Sequence, residues 1–333
     1  GLLRRPTDSD VPAHSEVNGM QSTQSTRSTA MRIDDLDVYQ RTIDDSFVPL
    51  RLTPAKTDGF SATLTAAGAD GVVFTEVASS AQLVERTEEG IERGGDGYYK
   101  VSLILAGSSI LIQDGREVVM RPGDISFYDT SRPYSLLFDE RFRNLIMMFP
   151  KDRLELPPQL TDSLTAVSLG EHHPIAGAVA SFIAEASPQL EGLSDLARTK
   201  LAHSSLELLS TMFSAVLDVE GAARSPREAL LHKIYAYIGA NLASPTLSPG
   251  SIAATHYIST RHLHALFHEA GTTVSAWIKE RRLERCRMDL IDPALSHRGI
   301  AAIATGWGFV DAAHFSRIFR AAYGVSPSEL RQG

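Results

Sequence analysis

Basic side chains recur on two short stretches in the last hundred residues, at spacings that would place them on one face of a helix. The first stretch carries Arg261, His264 and His268, and the second carries Arg317 and Arg320. An arginine can donate two hydrogen bonds to one guanine, and it can equally bond a phosphate. These residue types therefore predict nucleic-acid recognition, provided that both stretches form helices with a buried opposite face.

The two stretches are unequal copies of one pattern. Each begins with an N-cap residue, Ser259 in the first copy and Asp311 in the second. A shift of 52 positions also superposes His262 on His314, Leu263 on Phe315, and Leu266-Phe267 on Ile318-Phe319. Because a short apolar pair and a turn precede each copy, the repetition predicts two helix-turn-helix motifs.

We predict that the residues contacting DNA are the outward ones of each copy. They are Ser259, Thr260, Arg261, His264, His268, Ala312, Ala313, His314, Arg317 and Arg320. The alternative for Arg317 is a solvated arginine on a helix surface. We expect His262 to face other helices of its own domain. We expect no metal at the three histidines of the first copy, because no nearby carboxylate or thiolate could complete the set of ligands.

Seven helices are predicted in this part of the chain, at 227–242, 248–255, 260–270, 274–291, 297–305, 312–322 and 327–331. The fourth spans about 27 Å at 1.5 Å per residue. Since major-groove faces recur about every 34 Å along one side of a duplex, such a connector could present both recognition helices to it.

Charge is divided unevenly along the chain. Its net charge is -8, yet residues 225–333 hold 12 Lys or Arg against 8 Asp or Glu. This local excess of cations favours a polyanionic partner at the C-terminal end.

Composition indicates a globular protein of two or three domains, with 333 residues and 43% hydrophobic residues. We expect a cytoplasmic protein with no membrane segment, because no apolar run approaches about 18 residues and no secretion signal is recognisable. Cys286 is the only cysteine, which excludes an intrachain disulfide and any zinc site with two thiolates. We expect it to be a small buried or half-buried residue that fills space between helices; the alternative is a redox sensor.

The N-terminal part divides into a polar segment and a strand-rich one. Residues 1–45 are assigned to a disordered segment, because their Ser, Thr and Gln-rich beginning cannot bury enough apolar surface. Short strands from about 60 to 150, with turn signals at Asp114-Gly115 and 121–124, predict an antiparallel barrel or sandwich over 46–165. Such a barrel is either filled by side chains or holds one small ligand.

Residues 166–222 have helical spacing and are assigned to a linker or dimerisation region, followed by the DNA-binding domain at 225–333. This region carries a long apolar stripe, for which there are two interpretations. The stripe packs on the barrel, or it contacts the same helix of a second subunit; both hold if the helix has two apolar edges. The members of the stripe are Ala202, Leu206, Leu209, Phe213, Val216 and Leu217.

Aromatic residues and one cation in the strands could hold an anionic ring compound. These effector candidates are Tyr98, Tyr99, Phe127, Tyr128, Arg132 and Tyr134. The alternative is a filled barrel with ordinary core aromatics and a surface arginine. Because residues 60–150 contain no histidine, we expect no metal-dependent catalysis there and no cofactor.

The two helix-turn-helix motifs and part of the strand-rich segment resemble the AraC/XylS family of bacterial transcription regulators. The likeness covers nearly all of 230–331 and is most specific at 303–304, 308–309, 315–319, Gly324 and Pro327, while 121–124 and 129–134 resemble the family's cupin-like effector domain. It implies an α+β fold, with an N-terminal antiparallel cupin-like barrel and helical hairpin and a C-terminal all-α domain.

This resemblance implies that the protein is a DNA-binding transcription regulator, an activator and a homodimer. Its expected partners are promoter DNA, RNA polymerase and a small organic effector. The competing hypothesis is a cupin-type small-molecule-binding protein or enzyme with a helical interaction domain. Salt-dependent duplex binding by 225–333 would separate the two.

Overall fold

The computed structural model describes residues 26–154, 156, 158–219 and 226–332. We refer to the described residues up to 219 as the N-terminal unit and to 226–332 as the C-terminal unit. The first is built on strands and the second is all helical. The predicted α+β class is confirmed.

Eleven described strands form two antiparallel sheets in the N-terminal unit. They are β1 (Thr26–Ile33), β2 (Arg51–Pro54), β3 (Ala62–Ala69), β4 (Val72–Ser79), β5 (Gln82–Arg86), β6 (Tyr98–Ala106), β7 (Ser109–Gln113), β8 (Arg116–Met120), β9 (Ile125–Asp129), β10 (Tyr134–Phe138) and β11 (Phe142–Pro150). One sheet has the order β1-β3-β4-β11-β6-β9 and the other β2-β5-β10-β7-β8. The sequence predicted a barrel or a sandwich. Within the described residues, the strands form two sheets and no single closed ring.

Two hairpins use the same turn chemistry. Asp114 and Gly115 have φ of 54° and 72° between β7 and β8, as the sequence predicted. Asp70 and Gly71, with φ of 58° and 77°, join β3 to β4 in the same way. Both pairs provide the two left-handed residues that a tight antiparallel connection requires.

The expected disordered segment ends earlier than predicted. Residues 1–25 lie outside the described part, but 26–33 form β1, and α1 (Leu36–Ser46) follows. Asp35 caps α1 by accepting from the amide of Val38, and Tyr39 and Ile43 are buried against the sheets. The assignment of 26–45 to disorder was wrong because these few apolar side chains find partners distant in sequence.

Six helices complete the N-terminal unit. They are α1, α2 (Glu88–Glu92), α3 (Pro158–Thr161), α4 (Leu169–His172), α5 (Ile175–Ala186) and α6 (Asp195–Val219). The apolar stripe of α6 packs on the six-stranded sheet, where the rings of Phe127 and Phe213 lie 4.8 Å apart. This confirms the packing alternative for that stripe.

Seven helices form the C-terminal unit. They are α7 (Pro226–Ala240), α8 (Pro249–Thr255), α9 (Thr260–Glu269), α10 (Val274–Ile291), α11 (Ile300–Gly306), α12 (Ala312–Tyr323) and α13 (Pro327–Gln332). They surround two apolar cores, and α10 contributes to both: Val274 and Ile278 lie in one, and Leu283, Cys286 and Leu290 in the other. In the described part of the chain, no helix is long and apolar enough to cross a membrane.

Candidate nucleic-acid interface and internal cavity

The helix pairs α8–α9 and α11–α12 share one backbone pattern. Tyr257 in the first turn and Gly308 in the second have φ of 55° and 81°. After them, the amide of Ile258 bonds Ala253 O at 3.0 Å and the amide of Phe309 bonds Ala304 O at 3.0 Å. Two short helices are therefore joined by equivalent turns, as a helix-turn-helix motif requires.

The second turn needs glycine for a reason beyond its φ. A Cβ on Gly308 would lie 2.6 Å from Cζ of Arg282. That guanidinium, on α10, donates to Leu242 O at 2.9 Å and Ser244 O at 2.7 Å, and also to Gly308 O. Arg282 thus joins the connector α10 to the loop before α8 and to the turn between α11 and α12.

Each recognition helix begins at a side-chain cap. Ser259 accepts from the amide of His262 at 3.1 Å. Asp311 accepts from the amides of Ala313 and His314 at 2.8 and 3.0 Å. The His314 and Ala313 amides lower the pKa of the Asp311 carboxyl. Both caps hold the following helix in place, and the capping role expected for Asp311 is what its geometry supports.

All ten residues predicted to contact DNA are exposed, while Leu263, Phe267, Phe315 and Phe319 beneath them are buried. The structure therefore brings the ten to two outward helix faces. His262 is also exposed, so the prediction that it faces its own domain was wrong. It lies in the first turn of α9, one position before the buried stripe begins.

The arginines of the recognition helices and those of the connector α10 differ in their contacts. Within the described residues, no salt bridge holds Arg261, Arg317 or Arg320. The connector arginines, in contrast, bond protein groups: Arg281 the carbonyl of Asp152, Arg282 three carbonyls, Arg285 Glu207, and Arg287 Asp70. The exposed guanidinium groups of Arg261, Arg317 and Arg320 thus remain available for a phosphate or a base, whereas those of the connector arginines are engaged with protein groups.

Two exposed apolar residues at the turns were not foreseen. Tyr257 is 96% exposed and Val310 is 93% exposed. Tyr257 occupies the left-handed position that its counterpart fills with glycine, and a bulky residue is rare there. The sequence carried this signal in the turns, which align with a shift of 51 positions, one fewer than the recognition helices, and so place Tyr257 against Gly308.

A narrow cavity lies between the two sheets of the N-terminal unit. Its volume is about 40 Å³, enough for a few water molecules. Its walls are mainly apolar and aromatic, and α1 contributes Tyr39 and Ile43. The other lining residues include Phe47, Leu52, Val77, Gln82, Val84, Lys100, Tyr128, Tyr134, Leu136, Phe138, Phe142, Asn144 and Ile146. None of these described lining residues is acidic.

Lys100 is the cation of this cavity. Its side chain is 2% exposed, and Nζ lies 3.1 Å from the Tyr134 hydroxyl and 4.5 Å from the centre of the Phe47 ring. Burial, with a smaller effect from Arg86, lowers the pKa of Lys100 to about 7. Nearby, Gln82 Oε1 is buried with no partner among the described residues. The cavity therefore combines an apolar wall with a buried donor and an unused acceptor.

The predicted effector residues do not converge on this cavity. Tyr128 and Tyr134 line it, and Tyr98 packs at the edge of the adjoining core. Tyr99 and Phe127 point to the other face of the sheet, toward α6. Arg132 pairs with Asp114 at 2.6 Å and with Asp162 at 3.0 Å, outside the cavity. Lys100 was missed, although a lysine inside the apolar run of β6 was a visible signal.

Comparison with known proteins agrees with this arrangement. Residues 39–214 match the AraC-binding-like domain, and residues 252–333 match a helix-turn-helix domain. The transcriptional activator NphR of Rhodococcus sp is 30% identical over 258 residues, which cover 77% of this chain and 76% of that protein. The chain belongs to the AraC/XylS family of transcription regulators. It is thus a DNA-binding regulator with an N-terminal domain of the effector-binding type.

Other members of the family are more distant. The arabinose operon regulatory protein of Escherichia coli is 24% identical to this chain. The match covers 71% of this chain and 80% of the Escherichia coli protein. The solved structure of the AraC-like transcriptional activator CuxR superposes with a TM-score of 0.51 at 20% identity, covering 78% of this chain and 94% of that one. This likeness concerns the fold.

Proposed function

We propose that this regulator activates transcription by placing α9 and α12 in successive major grooves on one side of promoter DNA. The observation that carries the proposal is the pair of exposed recognition faces attached to α10, whose 18 residues contribute to both cores. At 1.5 Å per residue this connector spans about 27 Å, close to one duplex repeat. Activation is supported by relatives named as activators, among them the XylDLEGF operon transcriptional activator of Pseudomonas putida, 25% identical.

Base and phosphate contacts are assigned to different residues. Arg261 and Arg317 are the candidates for guanine, because each is an exposed arginine in the first half of a recognition helix. Arg320, His264 and His268 lie further along and are candidates for phosphate. The Tyr257 hydroxyl, held outward at the first turn, is a candidate donor to a backbone phosphate.

The test is a binding titration of the full chain on fragments selected from genomic DNA, at several salt concentrations. Arg317→Ala should weaken specific binding by about 1–3 kcal/mol. If Arg317 contacts a base, discrimination between sequences falls; if it contacts a phosphate, the salt slope falls by about one unit. Arg143→Ala removes an exposed arginine of the N-terminal unit, paired with Glu76, and serves as the matched control. Equal affinity of both variants and the unmodified protein would contradict the assignment.

We also propose that the effector binds in the cavity between the sheets, and that it is a small ring compound with an anionic or hydrogen-bond-accepting group. The support is Lys100, a buried amine facing aromatic walls with no acidic partner in the described cavity lining. Because the free space is about 40 Å³, side chains such as Phe47 have to move when a ring enters.

Calorimetric titration with benzoate and with its neutral isostere benzamide tests this class of ligand. We expect benzoate to bind the unmodified protein and to lose that affinity in Lys100→Met. Benzamide distinguishes a charge contact from a simple hydrogen bond. Benzoate binding that is unchanged in Lys100→Met would exclude Lys100 as the ligand's partner.

A homodimer that contacts RNA polymerase in the cytoplasm completes the proposal. What supports it is that similar proteins are named as transcriptional activators, a role that requires contact with the transcription machinery. Sedimentation of the full chain at micromolar concentration, with and without DNA, measures the dimer directly.

A further inference from the structure

Four buried charged side chains join the two units. Arg287 on α10 bonds Asp70 through both terminal nitrogens, with Nη1 to Oδ1 at 2.7 Å. Arg153, after β11, bonds Asp70 at 3.0 Å and Glu284 of α10 at 2.7 Å. Arg287 also lies 3.0 Å from Glu284. We call these four residues the ionic latch; their side chains are only 6–15% exposed.

The latch is electrically balanced and extends to a recognition helix. Two guanidinium groups face two carboxylates, so that no charge is left unpaired in a buried position. The hydroxyl of Tyr323, the last residue of α12, donates to Glu284 at 3.1 Å, and Arg287 lies 5.6 Å from the Tyr323 ring centre. The same four residues therefore contact the N-terminal unit, the connector and the second recognition helix.

No apolar core of the described residues spans the junction between the two units. Each of the four apolar cores of the described residues belongs to one unit alone. Latch residues line two clefts between the units, of about 300 and 680 Å³, and a third cleft of about 530 Å³ is also lined by both units. Because the described residues share no apolar core across the junction, the relative orientation of the units depends on the contact between α3 and α7 and on a few charged contacts, of which the latch is the most buried.

The latch is attached to the walls of the effector cavity. Asp70 forms the turn before β4, and β4 carries Val77 into the cavity lining. Arg153 follows β11, which contributes Phe142, Asn144 and Ile146 to the same lining. A ligand that displaces β4 or β11 would thus move the two N-terminal members of the latch.

We propose that the ionic latch holds the DNA-binding unit in one orientation relative to the N-terminal unit, and that its opening is the step by which the effector domain controls DNA binding. The latch acts through orientation, because it leaves the outward faces of α9 and α12 exposed. Its regulatory role rests on the proposed function, whereas its mechanical role does not.

The first test variant is Asp70→Asn. It removes one carboxylate from the latch, and the fold tolerates it because asparagine adopts the left-handed conformation of residue 70 readily. Asp114→Asn is the matched control. Asp114 occupies the same position of the same kind of turn and pairs with Arg132 at 2.6 Å, but it is not part of the latch. Arg287→Met breaks the latch from the other unit.

The measurement is the distance between two spin labels by pulsed dipolar spectroscopy on the full chain. Cysteines introduced at Glu185 on α5 and Ala302 on α11 are exposed helical positions, one in each unit. The native Cys286 does not compete for label, because it is fully buried and burial raises the pKa of its thiol to about 12. Excess unlabelled protein suppresses distances between subunits.

We expect one narrow distance distribution in the unmodified protein and in Asp114→Asn. Asp70→Asn, Arg287→Met and their combination should each widen it by about twofold or more, and to the same extent, because all three open one latch. An unchanged distribution in Asp70→Asn and Arg287→Met, or an equal change in Asp114→Asn, would overturn the proposal.

A DNA titration of the same samples separates the two hypotheses. If benzoate changes the DNA affinity of the unmodified protein but not that of the variants with widened distances, the regulatory role of the latch is supported. A chain that binds no DNA refutes the proposed function but leaves the distance result standing. A chain that binds DNA with unchanged distances in every variant refutes the latch alone.

Discussion

At the scale of single residues, burying Lys100 in the cavity lowers the stability of the folded protein. An amine is solvated strongly in water, and the buried one here has a tyrosine hydroxyl and an aromatic ring as neighbours. Its pKa falls to about 7 because burial disfavours the charged form. The unfolded chain therefore binds more protons than the folded one between about pH 7 and pH 10. Within that range the stability contributed by this group rises with pH.

Lys100→Met should make the protein more stable at neutral pH, by up to about 4 kcal/mol, because it removes the cost of the buried amine without leaving a large cavity. The gain should shrink as pH rises toward the ordinary pKa of lysine. Urea unfolding of both proteins at pH 7 and pH 9 measures the difference. A variant less stable than the unmodified protein at pH 7 would contradict the inferred cost.

At the scale of elements, each recognition helix depends on a buried apolar stripe. On α12 this stripe is Phe315 and Phe319, whose rings lie 5.4 Å apart, with Phe309 of the preceding turn 5.2 Å from Phe315. The outward face of α12 is exposed, so under the proposed function the residues beneath it would set the position of Arg317 relative to DNA. Specificity and stability would then depend on opposite faces of one helix.

Phe315→Ala should lower the free energy of unfolding of the full chain by about 3–5 kcal/mol, because it leaves a hole in the second core. Ser316→Ala, at the exposed neighbouring position, should change it by less than about 0.5 kcal/mol. Urea unfolding followed by circular dichroism is the measurement. Similar losses in the two variants would mean that the stripe is not what holds α12.

At the scale of the whole molecule, the latch should withstand ordinary changes of pH. Burial opposes ionisation of Glu284, but Arg287 and Arg153 outweigh it and lower the pKa to about 2. The groups that face Glu284 are Arg153, Arg287, Tyr323, Asp70 and His203. A carboxyl with a lowered pKa contributes stability above about pH 4.5 and loses it as the pH falls toward 2.

Glu284→Gln should therefore reproduce at pH 7 what acid does to the unmodified protein, namely a widened distribution of distances between the two units. The unmodified protein should keep one distribution from pH 5 to pH 8. Spin labels at 185 and 302 report both results. A distribution that widens between pH 8 and pH 5 would show that another titrating group controls the junction.

Much of the C-terminal unit follows from local signals. The 18-residue connector was predicted at 274–291 and is observed there, because an apolar stripe, a threonine cap and an Asp-Pro break define its ends within the sequence. The two caps and the exposed recognition faces could be read for the same reason. The exposure of His262 could not, since it depends on whether a neighbouring helix covers the first turn of α9.

The amino-acid sequence by itself determined the two helix-turn-helix motifs, the Asp114-Gly115 hairpin turn and the strand-rich character of the N-terminal unit. These depend on spacings of fewer than twenty residues. Only the tertiary structure decided which aromatic residues line the cavity, that Lys100 lies among them, and that Asp70 meets Arg287. Such contacts join residues far apart in the chain, and their free energy comes from burial and charge pairing, which local sequence does not specify.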